Sequence, residues 1–139
     1  MVDHLSFKTI KEKIRGRNLY LVGMMGSGKS KTGPLLAKEI GYRFIDADKV
    51  FEELVGKSIK QVFDEEGEQY FRDLETEILS EIGQMHSLVV ATGGGVVIRP
   101  ENWGFLHQGI VIWLNVNKDI LIQRLSSERF SRPLLKNDD

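Results

Sequence analysis

A three-layer α/β/α fold around a central parallel sheet is predicted by three features of this chain. Short apolar runs of strand length alternate with longer amphipathic stretches along its 139 residues, the pattern of strands joined by helical crossovers. The segment Gly23-Met-Met-Gly-Ser-Gly-Lys-Ser30 fits the phosphate-binding pattern G-x-x-x-x-G-K-[ST]. It lies where such a loop must lie, after the apolar run Asn18–Val22 and before a stretch of helical character reaching Ile40.

In chain order, Leu5, Phe7, Ile10 and Ile14 are spaced as one face of a short amphipathic helix within residues 1–17. Strands are predicted at Leu19–Val22, Arg43–Ile45, Leu88–Ala91 and Ile110–Leu114. Helices are predicted at Lys29–Ile40, Ala47–Val55, Ile59–Glu65, Glu68–Ile82, near Glu101–Leu106 and at Lys118–Leu125. Pro34 falls about a turn and a half into the first of these, where it removes a backbone hydrogen bond and costs roughly 3 kcal/mol unless the helix bends. From Ser126 to Asp139 the residues are polar with little periodicity and read as a mobile excursion. The chain thus divides into an extension over residues 1–17, a core over 18–125 and the start of a lid over 126–139.

Composition narrows the possible functions. With 41% hydrophobic and 28% charged residues the chain reads as one globular domain. Its formal net charge of −1 supplies no field for gathering nucleic acid or anionic lipid. No apolar run reaches membrane-spanning length. The first segment mixes acidic with basic residues and lacks an apolar h-region, so it reads as neither a secretory signal nor a transit peptide. Cysteine is absent, which removes disulfides, thiolate metal sites and thiol nucleophiles and is compatible with a reducing cytosol. His4, His86 and His107 have no ligand spacing, and Trp103 and Trp113 read as packing residues.

The loop chemistry implies a nucleoside triphosphate. Gly26 and Gly28 let the backbone curl until successive N–H groups face anionic oxygens, which a Cβ would prevent. Lys29 then reaches the β and γ phosphates, Ser30 offers its hydroxyl to Mg²⁺, and the following helix directs its positive end at the anion.

Four smaller motifs follow. Asp46-Ala-Asp48 sits where the second strand ends, with both carboxylates near one edge of the sheet; taken alone, Asp48 reads equally as a helix cap. Phe63, Phe71 and Arg72 come next, with Glu75 one turn beyond Arg72. A forked donor held beside aromatics and a glutamate suits a small carboxylate, whereas the pair in isolation reads as a surface ion pair. Thr92-Gly93-Gly94-Gly95 after a buried-type strand lets backbone approach a ligand closely, its bland alternative being a loose turn. Ser131-Arg132-Pro-Leu-Leu135 places an arginine where closure brings its charge to a transferring phosphoryl group.

In order and spacing these motifs resemble the shikimate kinase family from about Asn18 to Leu135, and Ile98-Arg-Pro-Glu-Asn-Trp103 looks like its cyanobacterial and plastid-type members. The resemblance implies a P-loop kinase fold of the nucleoside monophosphate kinase type and phosphorylation of the shikimate 3-hydroxyl by ATP, with Mg²⁺ as cofactor. It implies ATP contacts from Gly26, Ser27, Gly28, Lys29, Ser30 and Lys31, with Arg124 at the adenine and Arg132 as lid arginine. It assigns Ser30 and Asp46 to the metal, Asp48 to the shikimate hydroxyls, Arg72 to the carboxylate, and Gly93, Gly94, Gly95, Phe63 and Phe71 to the ring. Lys29, Asp48 and Arg132 are the catalytic candidates. A cytoplasmic monomer acting on ATP and shikimate, with no nucleic acid or membrane partner, is the corresponding expectation. Family members continue past the lid with a second substrate arginine, an edge strand and a final helix, so this chain reads as a fragment or a short relative. The alternative functions are another small-molecule kinase of this fold, such as a gluconate kinase, and a non-catalytic ATP-binding relative.

Overall fold

The computed structural model describes residues 14–23 and 28–114. Strands β1 (Leu19–Val22), β2 (Arg43–Asp46), β3 (Leu88–Ala91) and β4 (Ile110–Trp113) form one parallel sheet in the order β2-β3-β1-β4. Helices α1 (Lys29–Ile40), α2 (Ala47–Val55), α3 (Ile59–Glu66), α4 (Glu68–Gly83) and α5 (Pro100–Leu106) make the connections, with a 3₁₀ turn at Val96–Ile98. The predicted elements within these residues are all present, with ends shifted by a residue or so. The exception is the 3₁₀ turn, which is closed by Val96 N–H to Gly93 O at 3.2 Å and Ile98 N–H to Gly95 O at 3.1 Å, contacts that no hydrophobic period announces. The predicted helix Lys118–Leu125 and most of the segment 1–17 lie outside the described residues.

Strand alternation sorts the core into two layers. Leu19, Leu21 and Val89 pack with Ala37 and Ile40 of α1 on one face, joined by Ile14. Tyr20, Leu88 and Val90 pack on the other with Phe51, Val62, Phe71, Ile78, Leu79 and Leu106 from α2 to α5. A period of two on a sheet with helices on both faces requires this split.

Local chemistry sets the helix ends. Gly28 adopts φ 100° and its carbonyl accepts from Thr32 N–H at 2.8 Å, starting α1, and Gly41 at φ 76° ends it. The helix runs on through the exposed Pro34. At Gly33 the Phe44 ring occupies the space that a Cβ would fill, so the absent side chain lets α1 lie close on β2. Ser58 and Gln61 form a reciprocal capping box at the start of α3, with bonds of 3.1 and 2.9 Å.

Two buried asparagines fix the frame. Asn18, 4% exposed, donates to Tyr20 Oη, Ile82 O and Met85 O and accepts from Leu88 N–H, joining the start of β1 to the end of α4 and to β3. Asn102, fully buried, accepts from Thr76 Oγ1 at 2.8 Å and donates to Val96 O at 2.9 Å, tying α5 to α4 and to the turn that follows the triple glycine. Trp103 adds a bond from its Nε1 to Val97 O at 3.1 Å.

Candidate active site

The parallel register places the functional loops together. Asp46 pairs with Ala91 and Ala91 with Leu21, so β2, β3 and β1 end side by side. Gly23, Asp48 and the Thr92–Gly95 segment therefore leave the sheet along one carboxyl edge, where ligands of open α/β sheets bind. Thr92 ties two of these ends: its N–H and its Oγ1 both donate to Leu21 O, at 3.2 and 2.9 Å.

On the phosphate side, Lys29 is partly buried and its Nζ donates to Gly23 O across the loop. Ser30 Oγ donates to Asp46 Oδ2 at 3.4 Å, which brings a hydroxyl and a carboxylate together at the start of α1. Hard oxygen donors of this kind fit a Mg²⁺ ion that keeps most of its shell as water and phosphate. Among the described residues no cluster of three or more His, Cys, Asp or Glu side chains offers an all-protein metal cage. Lys31 is exposed on the first turn of α1. Gly26, Ser27, Arg124 and Arg132 lie outside the described residues.

The cap of α2 is Asp46 rather than Asp48. Asp46 Oδ1 accepts from Asp48 N–H at 3.0 Å in extended backbone, the N-cap arrangement, which frees the Asp48 side chain from that duty. Asp48 turns instead toward Gly93, where its Oδ1 would stand 2.9 Å from an added Cβ. Glu75 Oε2 approaches the same point at 3.0 Å, so two carboxylates meet over one glycine. The two acids line a small cleft together with Phe51, Phe71, Thr92, Gly93 and Val96.

Arg72 is not a surface ion pair. Its side chain is 6% exposed and its Nη1 donates to Glu75 Oε1 at 3.0 Å, while its Nε and Nη2 share Glu68 Oε2 at 3.4 Å. The guanidinium carbon lies 5.1 Å from the Phe71 ring centroid, and Phe63 packs on Phe71 at 4.7 Å, so Phe63 supports the wall that Phe71 forms. Gly95 is where the guanidinium passes: a Cβ there would fall 2.5 Å from Arg72 Cζ. The backbone of Gly95, at φ −93°, suits any residue, so it is the arginine that demands glycine. Gly94 is half-buried between Gly93 and Gly95.

Two predictions follow from this packing. Gly95→Ala is expected to push the Arg72 guanidinium out of place and weaken binding of a carboxylate substrate about tenfold or more, while leaving nucleotide affinity unchanged; paired calorimetric titrations check it. The second concerns Glu75, whose carboxyl is pushed above its ordinary value by burial, the Arg72 guanidinium pulling the other way. A carboxyl raised in the folded state contributes stability that is present at low pH and lost as pH rises through the raised value. The melting temperature of Glu75→Gln, measured against the parent protein, should therefore become relatively higher as pH goes from about 4 to about 8. A flat difference in thermal scans would count against it.

Sequence reasoning missed three contributors. In the sequence Thr92 reads only as the lead into the glycines, yet its hydroxyl ties two strand ends. Phe51 and Val96 line the cleft, and their apolar character marks them only as core.

The phosphate-binding sequence between β1 and α1, on a parallel sheet whose carboxyl edge carries paired carboxylates near a buried arginine, defines a P-loop kinase. Known proteins agree. The shikimate kinase family model matches residues 25–139. Shikimate kinase of Prochlorococcus marinus strain MIT 9211 is 59% identical over 99% of this chain and 70% of its own length. That of strain MIT 9313 is 57% identical over 94% of this chain and 68% of its own. Shikimate kinase from Acinetobacter baumannii, solved in complex with shikimate, superposes with a TM-score of 0.83 at 37% identity, covering 98% of this chain and 73% of that one. The chain belongs to the shikimate kinase family.

Proposed function

We propose that this chain transfers the γ-phosphoryl group of ATP to the 3-hydroxyl of shikimate, giving shikimate 3-phosphate and ADP. The observation that carries the reading is the Gly93–Gly95 turn, which meets the Asp48 carboxylate at one end and the Arg72 guanidinium at the other, next to the end of β1. A hydroxylated ring with one carboxylate offers a partner to both, a hydroxyl donor for the Asp48 carboxylate and an acceptor for the Arg72 guanidinium. The solved complex of the Acinetobacter baumannii relative with shikimate supports the choice of acceptor.

In this mechanism Arg72 pairs with the shikimate carboxylate and Asp48 orients the 3-hydroxyl and takes its proton. The hydroxyl oxygen forms the new bond to the γ-phosphorus as the bond to the bridging β–γ oxygen breaks, and ADP leaves with that electron pair. Lys29, with the loop backbone of Gly26, Ser27 and Gly28 and the neighbouring Lys31, holds the phosphates and offsets charge on the transferring oxygens. Arg124 contacts the adenine, and Arg132 closes on the phosphoryl group. Ser30 and Asp46 would hold Mg²⁺, which when bound neutralises phosphate charge. The expectation of a cytoplasmic monomer belongs to the same proposal. Among the described residues no helix is long and apolar enough to cross a membrane.

The test is a coupled ADP-release assay of this chain with ATP and Mg²⁺, supplied with shikimate or with gluconate. Shikimate-dependent release is expected, and gluconate should give none. Release supported by gluconate alone would replace the reading with that of a sugar-acid kinase. Nucleotide binding without any release would make the chain a binding protein.

A further inference from the structure

All three nitrogens of the Arg72 guanidinium are engaged by carboxylates of its own helix, but unequally. Glu75 takes Nη1 at 3.0 Å from a side chain that is 11% exposed. Glu68 takes the other edge with a single oxygen, Oε2, shared between Nε and Nη2 at 3.4 Å each, and its side chain is 61% exposed. The first contact is short and buried, the second long, bifurcated and wet. The Nε–Nη2 edge of an arginine is built to hold a planar carboxylate with one oxygen on each nitrogen, at about 2.8 Å. Glu68 uses that edge without achieving that geometry.

We propose that Glu68 is a built-in competitor for the substrate carboxylate, occupying the Nε–Nη2 edge of Arg72 until a bidentate carboxylate displaces it, and that it thereby sets substrate affinity. The inference rests on the reading of Arg72 as the carboxylate-binding residue. Glu75 stays in place during the exchange and holds the guanidinium flat against Gly95. Glu68 swings into water, which its exposure makes inexpensive. An acceptor without a carboxylate offers no group that can take over the edge, so the exchange also favours carboxylated rings.

Glu68 also stands in the first turn of α4, where a negative charge favours the helix on its own account. Two substitutions separate the effects. Glu68→Gln removes the charge, while Glu68→Asp keeps the charge at the helix start and shortens its reach by one methylene. The experiment titrates the whole chain calorimetrically with shikimate and with shikimate methyl ester, after thermal scans show each variant folded. Both variants are expected to bind shikimate about two- to fivefold more tightly, the worth of an exposed ion pair, with ester affinity unchanged. Unchanged or weaker shikimate binding in either variant, or an equal gain for the ester, overturns the proposal. Arg72→Gln decides the underlying reading separately. If that variant binds shikimate as tightly as the parent, Arg72 is not the carboxylate site; if it loses binding while the Glu68 variants bind as the parent does, only the competitor role fails.

Discussion

Asp48→Asn is expected to lower shikimate-dependent turnover about 10²- to 10⁴-fold, the usual worth of a positioned general base. The substitution is nearly isosteric and leaves the cap of α2 intact, because the oxygen that accepts from the backbone N–H of residue 48 belongs to Asp46. It removes the basicity of the oxygen that approaches Gly93 and leaves a side chain still able to hydrogen-bond a hydroxyl. The loss should therefore fall on turnover, with shikimate and ATP affinity near those of the parent. Steady-state kinetics with direct binding measurements separate the two. A variant keeping more than about a tenth of the parent's turnover would show that Asp48 orients the hydroxyl without accepting its proton.

Lys29→Ala is expected to cost about 10²- to 10³-fold or more in turnover, because the cation that offsets charge on the transferring phosphoryl oxygens is lost. Nucleotide binding should weaken as well, since in the proposed mechanism the ammonium holds ground-state phosphates as much as the transition state. The side chain bridges to Gly23 O, so the variant also loses a strut across the loop. Lys29→Arg distinguishes strut from point charge. A guanidinium retains the positive charge but not the compact geometry, and partial recovery of binding without recovery of turnover is the expected pattern. Full turnover in Lys29→Ala, read in the same ADP-release assay, would remove Lys29 from the mechanism.

Much of this architecture was legible in the chain. The phosphate loop, the strand before it and the helix after it follow from fixed positions whose chemistry admits few alternatives. The four strands read as short apolar runs, and the structure moves their ends by one residue at most. The candidate site was legible as a set of residue types and illegible as an arrangement. Asp46 and Asp48 are two residues apart and chemically alike, and nothing in their sequence says that one caps α2 while the other turns to Gly93. Arg72 with Glu75 at i, i+3 reads the same on an exposed face as on a buried one. The requirement for glycine at 95 comes from an arginine more than twenty residues away in the chain.

The division has a physical basis. What the sequence by itself determined is local: hydrophobic periods, glycines that allow a backbone curl, and a lysine and serine at fixed offsets, each acting within a few residues. What only the tertiary structure decided is long-range: the strand order β2-β3-β1-β4 that aligns Gly23, Asp46 and Thr92 on one edge, the burial that raises the Glu75 carboxyl, and the placing of two acids over one glycine. Charge, burial and proximity in space depend on which segments pack together, and packing is a property of the whole fold rather than of any window of the chain.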